Sequence, residues 1–524
     1  MQRILFFLMV IVVVSCKKDK EKLDYLGVVN IEVSGNENAL PHFEKGLLLL
    51  HSFEYEDARE AFLKAQEIDS TMVMAYWGEA MTFNHGLWRG QNYEKGYAAV
   101  QKIGPLTERT NLTSLEKDLL SAVELLYKQK TPKNERDKDY MKYMKSLNNK
   151  YPDNHEVAAF YALSLLASTS EGRNDSIYGL GADIAKKILK ENAKHPGALH
   201  YLIHSYDDPI HAELALDAAN SYSKVAPDAS HALHMPSHIF VALGMWDRVI
   251  ASNIDSYGAS LNRMKSKDLD NNARGYHAFH WLEYGYLQKE EIEKAEKMVF
   301  DMQTYSRETP SRRARVHLLF LKSTFLAETD LWDHDIANIE IDDSGFNISL
   351  IAKNFFLEGM KAFKTNNTKQ IDFEIDSLSA KIKREALLMQ NIESGFSVCA
   401  SVNRSMPSES DIDESEVFKL QLMALRSWMH NDLQNADEFF AESVRLEDQL
   451  SYSYGPPSIT KPTKELYAEF LVTQGRYEEA IQMYKGALKK GPKRLVPLKG
   501  IKKTALLSKD DALVKEIDLE LSKI

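Results

Sequence analysis

Nine of the 16 histidines in this 524-residue chain fall between His195 and His280, in the stretches HPGALHYLIHSYDDPIHAEL, HALHMPSHIF and HAFHWLEYGYLQ. Three pairs stand out by spacing. His200 and His204 are four residues apart, so on a helix both rings face the same way. His234 and His238 are also four apart and flank Pro236, a residue suited to the first turn of a helix. His277 and His280 are three apart. Imidazole is the usual nitrogen ligand for zinc, copper or iron, and a pair on one helix supplies two ligands at little entropic cost. Asp207 and Asp208 follow His204, and Glu283 lies one turn beyond His280, positions from which a carboxylate would orient an imidazole. The expectation is that the six histidines converge on one transition metal with these three acids beside them. Two other readings compete: a metal-free polar site for an anionic ligand, and plain hydrogen bonding between helices.

Little else in the chain suggests chemistry. The residue after His200 is Tyr201, so the glutamate that serves as base in zinc-protease helices is missing. The chain has no nucleophile elbow, phosphate loop or dinucleotide fingerprint. A metal-dependent enzyme is thus the alternative to a binding protein, and it rests on the histidines alone. His51 and His85, far earlier in the chain, read as packing residues that would reach the same groove only if the fold curls.

The elements that must position these pairs are legible from self-similarity. Ala468, Leu471, Gly475, Tyr477, Ala480, Tyr484, Ala487 and Pro492 occupy positions 8, 11, 15, 17, 20, 24, 27 and 32 of a 34-residue frame beginning at Lys461. Gly46, Leu49, Ala58, Phe62 and Ala65 take the corresponding positions of a frame beginning at Ala39, with Ser70 in place of the proline. This is the tetratricopeptide (TPR) pattern, in which small residues at 8 and 20 let paired helices approach and an aromatic at 24 fills the space between hairpins. Weaker copies cover 196–229, 230–263 and 417–450, and a helical pair reads across 270–304. The fold expected is all-α, a TPR-like solenoid winding as a right-handed superhelix with a concave groove and no β-sheet. In that register the three histidine pairs sit on the groove-lining helices of successive repeats, and the groove takes a protein or peptide partner.

Domain boundaries follow from where the pattern starts and lapses. Residues 39–340 form the first array, 341–415 an irregular helical segment with loops at IDDSGFNIS and SVNRSMPSESDIDESE, 416–504 the last repeats and 505–524 a capping helix. Residues 17–38 read as a tether of mixed charge. The first 16 residues place Arg3 before an apolar run from Ile4 to Val14 that ends Val13-Val14-Ser15-Cys16, the form of a lipoprotein signal with Cys16 as the lipid attachment site. Eleven apolar residues are too few for a span that needs roughly 20. The expected location is the bacterial cell envelope, lipid-anchored to a membrane, with the outer membrane favoured. The net charge of -11 argues against nucleic acid as a partner. After lipidation of Cys16 only Cys399 remains, so no intramolecular disulfide can form.

The segments FEKGLLLLHSFEYEDAREAF, AYWGEAMTFNH, HPGALHYLIHSYDDP, HMPSHIFVALGMWD and HAFHWLEYGYLQ together resemble a family of large bacterial TPR lipoproteins without an assigned reaction. That resemblance implies architecture and envelope location, and it supplies no catalytic residues. A second comparison is with SusD-like glycan-binding lipoproteins, which are similar in length and also built on TPR pairs. Their N-terminal segments have no counterpart in this chain.

Overall fold

The structure, a computed structural model, describes residues 25–88, 90–104, 111–169, 172–393, 407–452 and 454–524. Helical hairpins succeed one another from Leu40–His51 with Tyr55–Ile68 to Leu495–Ser508 with Asp511–Leu521. The chain is an all-α, TPR-like solenoid. Each strong frame does what its residue types demand. Phe62 lies fully buried between two helices, and a Cβ added to Gly46 or Gly78 would come within 2.7 or 2.3 Å of its ring. Tyr484 holds the same place at the other end, where a Cβ on Gly500 would meet its ring at 2.4 Å. Glycine on one helix and an aromatic on its neighbour thus set the spacing between hairpins at both ends of the molecule.

The buried side chains form two contiguous cores that meet on the Tyr276–Gln288 helix. Trp281 and Tyr284 belong to the first core, while Tyr276, Phe279, Leu282 and Leu287 belong to the second. This helix carries apolar residues all round because it has neighbours on both sides.

Several expectations need correction. Asn84–His85 pairs antiparallel with Gly90–Gln91, a short hairpin closed by the Asn92 N–H donating to the Phe83 carbonyl at 2.9 Å, so the helices are not the only regular elements. Between the two segments read as loops run two long helices, Ile348–Lys364 and Thr368–Glu393, and the second of those segments is helical where it read as loop, since Glu409–Met429 runs through the residues DIDESE. A capping box explains that start: Ser408 accepts from the Asp411 N–H while the Asp411 carboxylate accepts from the Ser408 N–H. The boundary between 504 and 505 falls inside the Leu495–Ser508 helix.

Residues 25–38 are a strap pressed onto the body rather than a free tether. Leu26 is buried, Val28 exchanges hydrogen bonds with Lys194 and Asn192, and Ser34 bonds to the buried Glu116 carboxylate at 2.6 and 2.9 Å. Gly27 allows this at φ 98°, since a Cβ there would sit 2.8 Å from the Lys194 carbonyl. Cys16 and Cys399 lie outside the described residues.

The C-terminal repeats return to the middle of the chain. Trp246 donates its indole N–H to the Lys493 carbonyl at 3.0 Å, and Arg494 is buried in ion pairs with Glu328 and Glu465. Ser451 accepts from the Arg173 N–H at 3.0 Å. A Cβ on Gly455 would collide with Trp281 at 2.3 Å. Ser451 and residues 454–459 therefore lie across the histidine-bearing helices, and a peptide in the groove would meet the protein's own chain there.

Candidate metal centre

Five imidazoles form a closed ring. The centroids of His200 and His204 are 4.9 Å apart, His204 and His238 5.2 Å, His238 and His234 5.0 Å, His234 and His231 6.1 Å, and His231 and His200 5.0 Å. His277 packs outside this ring, 4.6 Å from His234. Pro196–Ser205 supplies the first pair. Pro236 splits the next stretch into Ser230–His234 and Pro236–Ala242, because its ring removes a backbone donor, and the two segments bring His234 against His238. Of the six histidines expected to be ligands, five converge.

The sixth does not. His280 turns to the Arg312–Thr329 helix, where its Nε2 lies 2.9 Å from the Thr324 hydroxyl and its ring stacks on Phe320. Three residues along a helix leave a pair about 60° apart in azimuth, enough on a helix with two neighbours to send each ring to a different one. Glu283 is likewise not a partner of the cluster. It is fully buried, both its oxygens lack a hydrogen-bond partner, and burial together with Glu328 pushes its carboxyl well above the usual range. Asp208 serves the adjacent loop: it pairs with Arg173 at 2.6 Å and His211 at 2.8 Å and accepts from the Ile210 N–H.

Asp207 contacts two rings at once. Its Oδ2 lies 3.1 Å from His204 Nδ1 and 3.3 Å from His238 Nδ1. His200 donates its Nδ1–H to the His51 carbonyl at 2.7 Å. His234 Nδ1 is 2.7 Å from Asn253 Oδ1, and the Asn253 amide donates to the Val249 carbonyl, so the histidine must be the donor. All four Nδ1 protons are thereby assigned by acceptors that carry no proton of their own. Every corresponding Nε2 is left with a lone pair.

Two of those lone pairs face each other, His234 Nε2 and His238 Nε2 at 3.1 Å, while His200 Nε2 lies 3.2 Å from His231 Nε2, whose N–H can donate to it. The buried His204 Nε2 has no hydrogen-bond partner at all. Burial holds His234 down to about 4 and His200, His231 and His238 well below the ordinary imidazole value, so a proton is a poor bridge between them. Two nitrogens bound to one tetrahedral ion at ~2.0 to 2.1 Å are about 3.3 Å apart, close to the two separations seen.

Aromatic rings wall the site. Trp281 lies 4.6 Å from His238, Tyr454 5.0 Å from His238, and Phe53 4.3 Å from His200. Phe53 adopts φ 56°, a left-handed conformation that a bulky residue rarely takes, at the end of the Leu40–His51 helix. His231 is half-buried and His277 exposed.

Sequence reasoning missed His231, although it sits three residues before His234 in HALH. It also missed a second cluster. His51 Nε2 lies 2.7 Å from one oxygen of Glu156 and His195 Nε2 3.2 Å from the other, all three residues being fully buried. His51 is satisfied without an ion, since the Tyr201 hydroxyl at 2.9 Å can donate to its Nδ1 while its Nε2–H serves Glu156. The Ala198 N–H donates to His195 Nδ1, which leaves the His195 proton on Nε2, facing the second Glu156 oxygen as an ion-pair contact without hydrogen-bond geometry. Gly197 makes room, since a Cβ there would be 2.4 Å from His51 Nδ1. His85 packs, stacking on Tyr55 at 4.0 Å.

The fold and site define a TPR-like solenoid that carries a largely buried histidine ring. The chain matches no family model and no curated protein. Among solved structures it is similar to the human IFIT1 dimer with PPP-AAAA, at 11% identity and TM-score 0.36, covering 94% of this chain and 96% of that one. It is also similar to yeast Tom70, at 11% identity and TM-score 0.27, covering 92% of each chain. The P58(IPK) TPR domain overlaps at 14% identity and TM-score 0.20, over 90% of this chain and 99% of that one. Overlaps of this depth transfer no function.

Proposed function

We propose that this protein is a transition-metal-binding TPR-like solenoid, with the metal held by imidazole nitrogens of the histidine ring. One observation carries the reading: His234 Nε2 and His238 Nε2 stand 3.1 Å apart with both Nδ1 protons already committed to Asn253 and Asp207. Without a proton or cation between them, two lone pairs at that distance repel, and burial disfavours the proton. Among the described residues no thiolate enters the set, and Asp207 approaches the rings through their Nδ1 side, so nitrogen-preferring ions such as zinc, copper or iron fit better than magnesium or calcium. Elemental analysis of protein purified without an affinity tag and equilibrated with zinc or copper is expected to find stoichiometric metal. A protein that stays metal-free under those conditions would refute the reading.

The same proposal places the metal-binding body at a membrane through lipid on Cys16, supported by the Val13 to Cys16 motif. Among the described residues no helix is long and apolar enough to cross a membrane. A Cys16→Ser chain is expected to lose metabolic labelling by palmitate, and persistent labelling would contradict the anchor.

A further inference from the structure

We infer that the histidine ring holds two metal ions in adjacent sites, one bound by His200, His204 and His231 and the other by His234, His238 and His277. This deepens the metal-binding reading and rests on it. The donor atoms within each triad all lie within 4.8 Å of one another. Each triad also contains one Nε2 pair at the edge length of a single coordination sphere, 3.2 Å for His200 with His231 and 3.1 Å for His234 with His238. Two such edges call for two ions. The one cluster that joins the triads, His204 with Asp207 and His238, does so through the Nδ1 side that Asp207 occupies, so it does not merge the two Nε2 edges into one site.

The two triads are built alike. Each has two buried rings and a third that reaches solvent, His231 in one and His277 in the other. Each has one ring whose Nδ1–H is held by the same oxygen of Asp207, His204 on one side and His238 on the other. The remaining buried ring of each gives its Nδ1–H to a neutral carbonyl, that of the His51 backbone for His200 and of the Asn253 side chain for His234. A single carboxylate thus orients a ligand of both ions and sets a negative charge between them, which lowers the repulsion two neighbouring cations would otherwise feel. Three imidazoles per ion, without a fourth protein donor among the described residues, leave each ion a coordination position for a small ligand. Trp88, 49% exposed and 5.6 Å from His231, stands beside the solvent side of the first triad.

Copper(II) titration of the intact, chelator-stripped chain tests this. Two equivalents are expected to bind, with His231→Ala and His277→Ala each binding one and keeping the wild-type helical spectrum. Electron paramagnetic resonance adds a second readout, because adjacent copper(II) ions couple: the wild type at two equivalents should give a signal reduced or broadened relative to the sum of the two variants. One equivalent in the wild type would overturn the pair while leaving the metal reading intact. No binding would overturn both. Two equivalents with the full signal of isolated ions would overturn the adjacency.

Discussion

An Asp207→Asn chain is expected to bind metal about 10- to 100-fold more weakly while folding normally, and to do so at more than one histidine. Asp207 touches no Nε2. It acts through His204 and His238, whose Nδ1–H groups both converge on its Oδ2, and it is itself held by Arg173 at 3.4 Å. The carboxylate fixes which nitrogen of each ring carries the proton and raises the basicity of the other. An amide can accept one of those bonds with its oxygen, but it carries no charge and cannot favour both tautomers as strongly. Burial raises the Asp207 carboxyl and the His204 bond opposes that rise. Competition against a chelator of known affinity measures the loss. Unchanged affinity in Asp207→Asn beside a large loss in His238→Ala would mean that the rings are oriented by packing alone.

How much of this was legible in the sequence depends on how local each signal is. The hairpins could be read because Phe62 and Tyr484 need small residues opposite them, and Gly46, Gly78 and Gly500 recur at the spacing that provides them. The His200–His204 and His234–His238 pairs could be read because four residues on a helix bring two rings together whatever surrounds them. Asp207 followed from its place just beyond the helix that carries His204. The misses are all questions of which neighbour a residue meets. His280 and Glu283 share a helix with His277, yet both face the core on the other side. His231 joins the ring only because the Ser230–His234 segment packs against the end of Leu40–His51, where Glu54 accepts its backbone N–H at 2.8 Å. Glu156 and His195 meet His51 across more than 100 residues of chain, and no periodicity marks such a contact. The return of Ser451 and residues 454–459 over the site depends on the accumulated twist of the whole array.

Glu156→Ala is expected to destabilise the fold by about 3 to 5 kcal/mol at neutral pH, because it removes the carboxylate that faces two buried imidazole N–H groups. Its effect should reach the histidine ring, since the His51 carbonyl that Glu156 helps to place is the acceptor that fixes His200. The pH dependence has a definite sign. Burial alone would raise the Glu156 carboxyl, but His195 and His51 outweigh it and hold it well below the usual carboxylate range. The unfolded chain therefore takes up a proton at about pH 4.3 while the folded chain does not, so the contribution of Glu156 is complete above that value and is lost as the pH falls through the lower folded pKa. His51, pushed down by burial, adds a loss of the same sign that begins near pH 6.5, where the unfolded chain binds a proton that the folded one refuses. Urea unfolding of wild type and variant should give a gap that is nearly constant between pH 7 and 8 and narrows as the pH falls below about 4.3, where only the unfolded wild type takes up the Glu156 proton. A gap that goes on widening below about pH 4 would mean that the buried carboxyl is protonated in the folded protein, and that the two imidazoles do not hold it as an anion.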